Sequence, residues 1–280
     1  MKRSLFLLIL MSFFLAIATP SIFAGDFEYI DDLYVKGGKI IAKYTGTAAN
    51  VTIPYYDDSV VVGIGRNAFS GNRTITRVSF EGGIRTIGEN AFSNCNNLTE
   101  INLPATLTRI GSGAFSGCTK LRQIIIPESV IEWGDEVFSR SGLTTIVISK
   151  NIKEIPYGMF INTPLEQIII PEGVVRIGAE TFTGCTNLKA VVLPSTIQSI
   201  GGFIISWDRN PEAGGASYGG AFENCTSLTT ITISNSVKQM QFINRAEWDK
   251  DYGVDNFKNC PNISQGTKEL LKNLGYNGGF

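Results

Sequence analysis

Paired carboxylates are the first residues in this 280-residue chain that could support catalysis, since glycoside hydrolysis needs only two of them. Asp31-Asp32, Asp57-Asp58 and Asp249 with Asp251 offer such pairs. All of them fall in stretches that read as caps and loops, where charge is ordinarily solvated surface. Histidine is absent, which excludes Ser-His-Asp and Cys-His nucleophile pairs along with the commonest zinc sites. No P-loop, dinucleotide-binding glycine fingerprint or EF-hand loop occurs. Five cysteines remain: Cys95, Cys118, Cys185, Cys225 and Cys260. They form no C-x-x-C pair for zinc or redox work, and their number is odd. The expectation is a protein that is not an enzyme and holds no metal or cofactor.

The cysteines instead mark a frame. Each stands three residues after a phenylalanine, in a place that Asn72, Ser141 and Thr163 fill elsewhere. They read as compact buried groups in a repeated slot, free rather than disulfide-bonded. Export would permit pairing, and adjacent units would bring Cys95 near Cys118.

The frame is an internal repeat. From Leu98 the chain reads LTEINLPATLTRIGSGAFSGC, from Leu121 LRQIIIPESVIEWGDEVFSRS, and from Leu188 LKAVVLPSTIQSIGGF. Apolar residues recur as L-x-x-I-x-I/L-P and then I-G-x-x-A-F-x-x-C. The closing phenylalanines are Phe69, Phe92, Phe115, Phe138, Phe160, Phe182, Phe222 and Phe257, spaced by 23, 23, 23, 22, 22, 40 and 35 residues. The two long spacings are insertions into an intact pattern, near residues 202–219 and 241–253.

Spacing dictates geometry. The last two apolar positions of L-x-x-I-x-I are two apart, so they share one face of a strand. Pro104, Pro127, Pro171 and Pro194 end those strands, because proline has no donor to continue a ladder. Gly88, Gly111, Gly134, Gly178 and Gly201 mark a corner, and the Ala-Phe pair lies in a turn too short for a helix. No unit can bury its apolar face alone. Stacked units can.

This pattern resembles the BspA-type leucine-rich repeats of bacterial and protist surface proteins, over roughly residues 50–262. The resemblance implies a leucine-rich-repeat solenoid, a curved right-handed horseshoe that is mainly β. Its parallel sheet would line the concave side, joined by short turns or 3-10 segments. It also implies attachment to other proteins or cells, with a host extracellular-matrix or cell-surface protein as the kind of partner.

Within such strands the residue between the last two apolar positions points outward. Down the array that slot holds Ser79, Asn102, Ile125, Val147, Ile169, Val192 and Thr232, so four consecutive units expose a branched aliphatic. The slot two residues earlier holds Arg77, Glu100, Gln123, Thr145, Gln167, Ala190 and Thr230. An apolar stripe edged by polar groups such as Gln123 and Gln167 marks an interaction surface. The plainer reading is that isoleucine and valine favour strands. The insertions carry Trp207 and Trp248 among Tyr, Asp and Arg, a composition common at binding hot spots, although both rings could equally fold back onto the solenoid.

The ends complete the organisation. Lys2 and Arg3 precede an apolar run from Leu5 to Ile17, which reads as a signal peptide over residues 1–24. Residues 25–49 read as an N-terminal cap with a hairpin turning at Gly37-Gly38, residues 50–262 as the repeat array, and residues 263–280 as a C-terminal cap. That last cap contains a small helix beginning at Thr267 and ending at Gly275, with Leu270, Leu271 and Leu274 on one face. Removing the leader leaves 22 basic against 25 acidic residues, which gives no reason to expect nucleic acid as partner. No later apolar stretch is long enough to span a membrane. The expected function is therefore a secreted or cell-surface adhesion protein that binds another protein. Self-association in an envelope layer and glycan binding are the alternatives, periplasmic retention remains open, and no oligomeric state follows.

Overall fold

A computed structural model describes residues 24–54, 61–201, 220–234, 236–237, 239–243 and 255–280. The expected leader, except Ala24, lies outside these residues. So do Asp57, Asp58, Asp249 and Asp251, all of residues 202–219, and the second insertion beyond Ile243.

The chain is a β-solenoid with two parallel ladders running along the stack. The first is built from the L-x-x-I-x-I segments: β3 (Asn50–Ile53), β5 (Arg77–Phe80) and β7 (Glu100–Ile101), then β9 (Gln123–Ile125) with β11 (Thr145–Val147), then β13 (Gln167–Ile169), β15 (Ala190–Val192) and β17 (Thr230–Thr232). The second collects shorter strands at the corner of each unit, where most units carry a glycine. It comprises β4 (Val61–Ile64), β6 (Thr86–Ile87), β8 (Arg109–Ile110) and β10 (Glu132–Trp133), followed by β12 (Glu154–Ile155), β14 (Arg176–Ile177), β16 (Ser199–Gly201) and β18 (Gln241–Ile243). This second ladder replaces the plain corner that spacing alone implies. Its strands are mostly two residues long, too brief to leave a period-two signature.

Behind both ladders stands the core. Phe69, Phe92, Phe115, Phe138, Phe160, Phe182, Phe222 and Phe257 are all fully buried. Their rings stack from rung to rung with centroids 4.7 to 5.9 Å apart and planes within 16°. Each such pair adds about 0.5–1.5 kcal/mol beyond the area it buries. The turns that carry them are also tied between rungs: Phe92 N–H donates to the Ala114 carbonyl and Phe115 N–H to that of Val137, at 2.8 and 2.9 Å.

Both ends of the stack are closed by aromatic residues. At the N-terminus β1 (Phe27–Asp31) and β2 (Lys39–Tyr44) pair antiparallel, and β2 joins β4 in the second ladder. Tyr44 stacks on Phe69 at 5.1 Å and Phe27 packs on both. At the other end Tyr276 meets Phe257 edge to face at 5.0 Å, with Phe280 against the pair. Helix α1 (Gln265–Asn273) lies beside β17 and buries Leu271, with Leu274 just past its end. Its N-cap is Ser264, whose hydroxyl accepts from Thr267 N–H. Thr267 itself, the cap expected from sequence, is buried one turn in, where its hydroxyl donates to the Thr229 carbonyl at 3.3 Å. The helix therefore starts two residues earlier than Thr267.

The second ladder is interrupted once, between β10 and β12, and the cause is local. At the corner of most units a glycine N–H donates to the preceding rung, as Gly134 does to Ile110 and Gly178 to Ile155, both at 2.8 Å. A Cβ at Gly134 would come within 2.1 Å of the Ser112 nitrogen, so only a bare Cα allows that approach. The intervening unit carries Pro156 in the same place. Its ring occupies the space and its nitrogen has no hydrogen to offer Trp133. The rungs part on that side only. Behind the gap Glu136 N–H still donates to Tyr157 and Phe138 N–H to Met159, while Phe138 and Phe160 stack at 5.9 Å, the widest step in the column.

Candidate functional site

The first ladder alternates strictly where it is best formed. Ile124 and Ile126 are buried in the core, whereas Ile125 between them is 73% exposed. Val147 is 62% exposed, Ile169 70% and Val192 39%. Ile125 lies in register with Val147, and Ile169 with Val192. The two pairs meet at the step from β11 to β13, where Glu166 N–H reaches the Thr144 carbonyl at 3.4 Å. Four branched side chains thus stand on consecutive rungs of one surface.

The surroundings of this stripe are polar. Gln123 and Gln167 are exposed two residues earlier on their strands, in register with Thr145 and Ala190. Above and below, the same outward slot returns to polar residues. Thr52 and Ser79 share a hydrogen bond at 3.1 Å, Asn102 donates to Glu100 at 3.2 Å, and Thr232 follows Val192 in register. Ion pairs between neighbouring rungs, such as Arg77–Glu100 at 3.3 Å and Arg66–Glu89 at 3.1 Å, decorate the exposed surface. Exposed pairs of this kind contribute little to stability.

Trp207 and Trp248 lie outside the described residues. Of the carboxylate pairs, only Asp31-Asp32 is described, and both members have structural work. Asp31 pairs with Lys39 at 2.5 Å, and Asp32 accepts from the backbone of Tyr34 and Val35 inside the hairpin turn. Among the described residues no group of three potential ligands could hold a metal ion. All five cysteines are free and buried. Burial raises the thiols of Cys95, Cys118, Cys185 and Cys225 from an ordinary value of 9.0, Cys95 to about 12 and Cys185 to about 11, which removes nucleophilic character rather than creating it.

A feature absent from the sequence reading sits at the β10–β12 opening, a cleft of about 720 Å³ lined by Trp133, Pro156 and charged residues of four rungs. Two departures from the repeat announce it. Trp133 replaces the isoleucine that β4, β6, β8, β12, β14 and β16 bury at this position, and Pro156 replaces the corner glycine. They are 23 residues apart, and only the superposition of neighbouring rungs makes them adjacent.

A stack of such rungs with one exposed strand face is a leucine-rich-repeat solenoid. The chain belongs to the BspA-type leucine-rich repeat family, whose profile matches six copies over residues 43–164, 153–208 and 217–244. It is similar to the leucine-rich repeat protein of T. pallidum, at 26% identity over 93% of this chain and 98% of that one, with a TM-score of 0.62. Leucine-rich repeat proteins of Eubacterium ventriosum and Bacteroides capillosus match at 17% and 27% identity. They cover 76% and 45% of this chain and 63% and 96% of theirs, with TM-scores of 0.48 and 0.39. No curated protein sequence matches the chain.

Proposed function

We propose that this protein is a secreted or cell-surface binding module that docks another protein on the Ile125–Val147–Ile169–Val192 stripe. The observation that carries this reading is the exposure of four branched aliphatic side chains on consecutive rungs, in a slot that is polar elsewhere in the array. An apolar patch rimmed by polar groups gains free energy when a partner covers it, at about 25 cal/mol per Å² of apolar surface. Repeat solenoids present their binding residues from rigid strands in this way, so little ordering is required on association. The leader-like N-terminus supports export. No described helix is long and apolar enough to cross a membrane. The class of partner is an extracellular-matrix or cell-surface protein, including those of a host.

The test is a pull-down of such proteins with the purified chain and with Ile125→Lys/Ile169→Lys. The double variant should retain its cooperative melt and lose capture by about tenfold or more. Equal capture by both forms would remove the stripe from the binding surface. A second reading, self-association, rests on the same exposed aliphatics, since a copy of the chain could cover them. Concentration-dependent oligomers in light scattering, abolished in the double variant, would favour it.

A further inference from the structure

The cleft between β10 and β12 is built unlike any other part of the array. Trp133 is held edge to face against Phe138, ring centroids 6.3 Å apart, so the indole is anchored in the core while its outer part borders the cleft. Its Nε1–H is buried without a hydrogen-bond partner, and so is the Nε–H of Arg176, which borders the same cleft from the far side of the gap. Both residues border the same cleft, and each carries the cost of one buried donor that the fold leaves unsatisfied. Among the described residues the other rungs of the second ladder pair closely, and the ladder opens where Pro156 stands.

The chemistry of the lining selects the ligand. Arg109, Lys153 and Arg176 contribute three positive charges, and Glu132, Asp135 and Glu154 three negative ones. The formal sum is zero, and Arg109 is already partnered with Glu132 at 3.8 Å. Neither an anion nor a cation gains from the site as a whole. A polyhydroxylated ligand does, because each hydroxyl both donates and accepts and can meet either sign of side chain. Trp133, Ile131 and Pro156 supply apolar surface for the C–H face of a sugar ring. The volume of about 720 Å³ lies within the range of small-ligand sites.

We propose that this cleft binds a neutral saccharide, packed on Trp133 and hydrogen-bonded by the charged side chains of the cleft's two walls. The site is separate from the aliphatic stripe of the first ladder and shares none of its residues. An array of neutral glucose-, galactose- and N-acetylglucosamine-based oligosaccharides, with acidic and basic hexapeptides alongside, tests it on the purified chain. The chain and Ile125→Lys/Ile169→Lys should retain the same neutral saccharide. Trp133→Ile, which restores the residue that other rungs carry, should weaken retention at least about tenfold. Trp133→Phe, which keeps a smaller ring, should fall between them. Arg176→Gln, on the opposite wall, is the second variant and should also weaken retention. Absence of any saccharide signal, retention unchanged by Trp133→Ile and Arg176→Gln, or capture of a charged peptide in place of sugar overturns the proposal.

Discussion

The thiol of Cys118 donates to the backbone carbonyl of Phe92, one rung earlier, at 3.1 Å. Cys95, Cys185, Cys225 and Cys260 make the same bond to Phe69, Phe160, Phe182 and Phe222, at 3.0 to 3.1 Å. Of the three units without cysteine, the one carrying Thr163 has its hydroxyl donate to its own Phe160 carbonyl at 2.9 Å instead. The slot therefore asks for a small side chain with a weak donor, and cysteine fills it with little polar cost.

Reagent access follows from this burial. Dithionitrobenzoate at pH 8 should find essentially no reactive thiol in the folded chain, and all five cysteines should react in denaturant. Rapid native labelling of any of the five would contradict the buried ladder.

The same thiols set an alkaline limit. The folded state holds Cys95 protonated up to about 12 and Cys185 up to about 11, whereas an unfolded chain begins to release those protons near 9.0. Burial also raises Tyr44, and Tyr276 more strongly, with Asp255 beside Tyr276 adding to its shift. The unfolded state thus binds fewer protons above that point, and stability must fall as pH rises. Melting temperature should be nearly flat from pH 7 to 8.5 and decline progressively from about pH 9 to 12.

Removing one ring from the column should be severe. Phe115 is fully buried between Phe92 and Phe138, at 5.5 and 5.7 Å. Phe115→Ala should cost about 3–5 kcal/mol in urea titration. A loss below about 1 kcal/mol would mean that the neighbouring rungs collapse into the void.

Backbone strain predicts a gain. Arg140 has φ +56° at a turn position where other units place Asn94, Gly117, Asn162, Gly184 or Asn224, all with positive φ. Its side chain is exposed. Arg140→Asn keeps the turn and relieves a conformation that asparagine tolerates better, which should stabilise the chain by about 0.5–1 kcal/mol. An unchanged or lower midpoint would show that Arg140 contributes contacts worth as much as the strain.

Closing the gap should also be possible. Trp133→Ile with Pro156→Gly restores the two residues that other rungs use. The new amide at position 156 should bond to the residue-133 carbonyl and become protected from hydrogen exchange, with a gain of about 1 kcal/mol. A freely exchanging amide there would mean that something other than these two residues holds the rungs apart.

The column, the first ladder and the outward stripe were legible because eight phenylalanines and seven strands repeat one frame, and errors at a single unit cannot hide it. Ile125 and Ile169 could be read as exposed from alternation alone. The second ladder could not, since two-residue strands such as Arg109–Ile110 carry no alternation to read. Ser264 and Thr267 are both competent helix caps by type, and only the burial of Thr267 decides between them. The cleft was hidden for a different reason. Trp133 and Pro156 each look like an isolated lapse in the repeat until neighbouring turns are laid on one another.

The aromatic lids bear on how such a chain changes over generations. Tyr44 covers one end of the phenylalanine column and Tyr276 the other, and rungs such as those of Phe92 and Phe115 offer matching faces upward and downward. An in-frame duplication of one 23-codon unit, for instance between Phe92 and Phe115, would slot in without disturbing either lid. Length is therefore a quantity that recombination can alter in whole steps. Any new step arrives already folded, with its outward residue unassigned and open to selection.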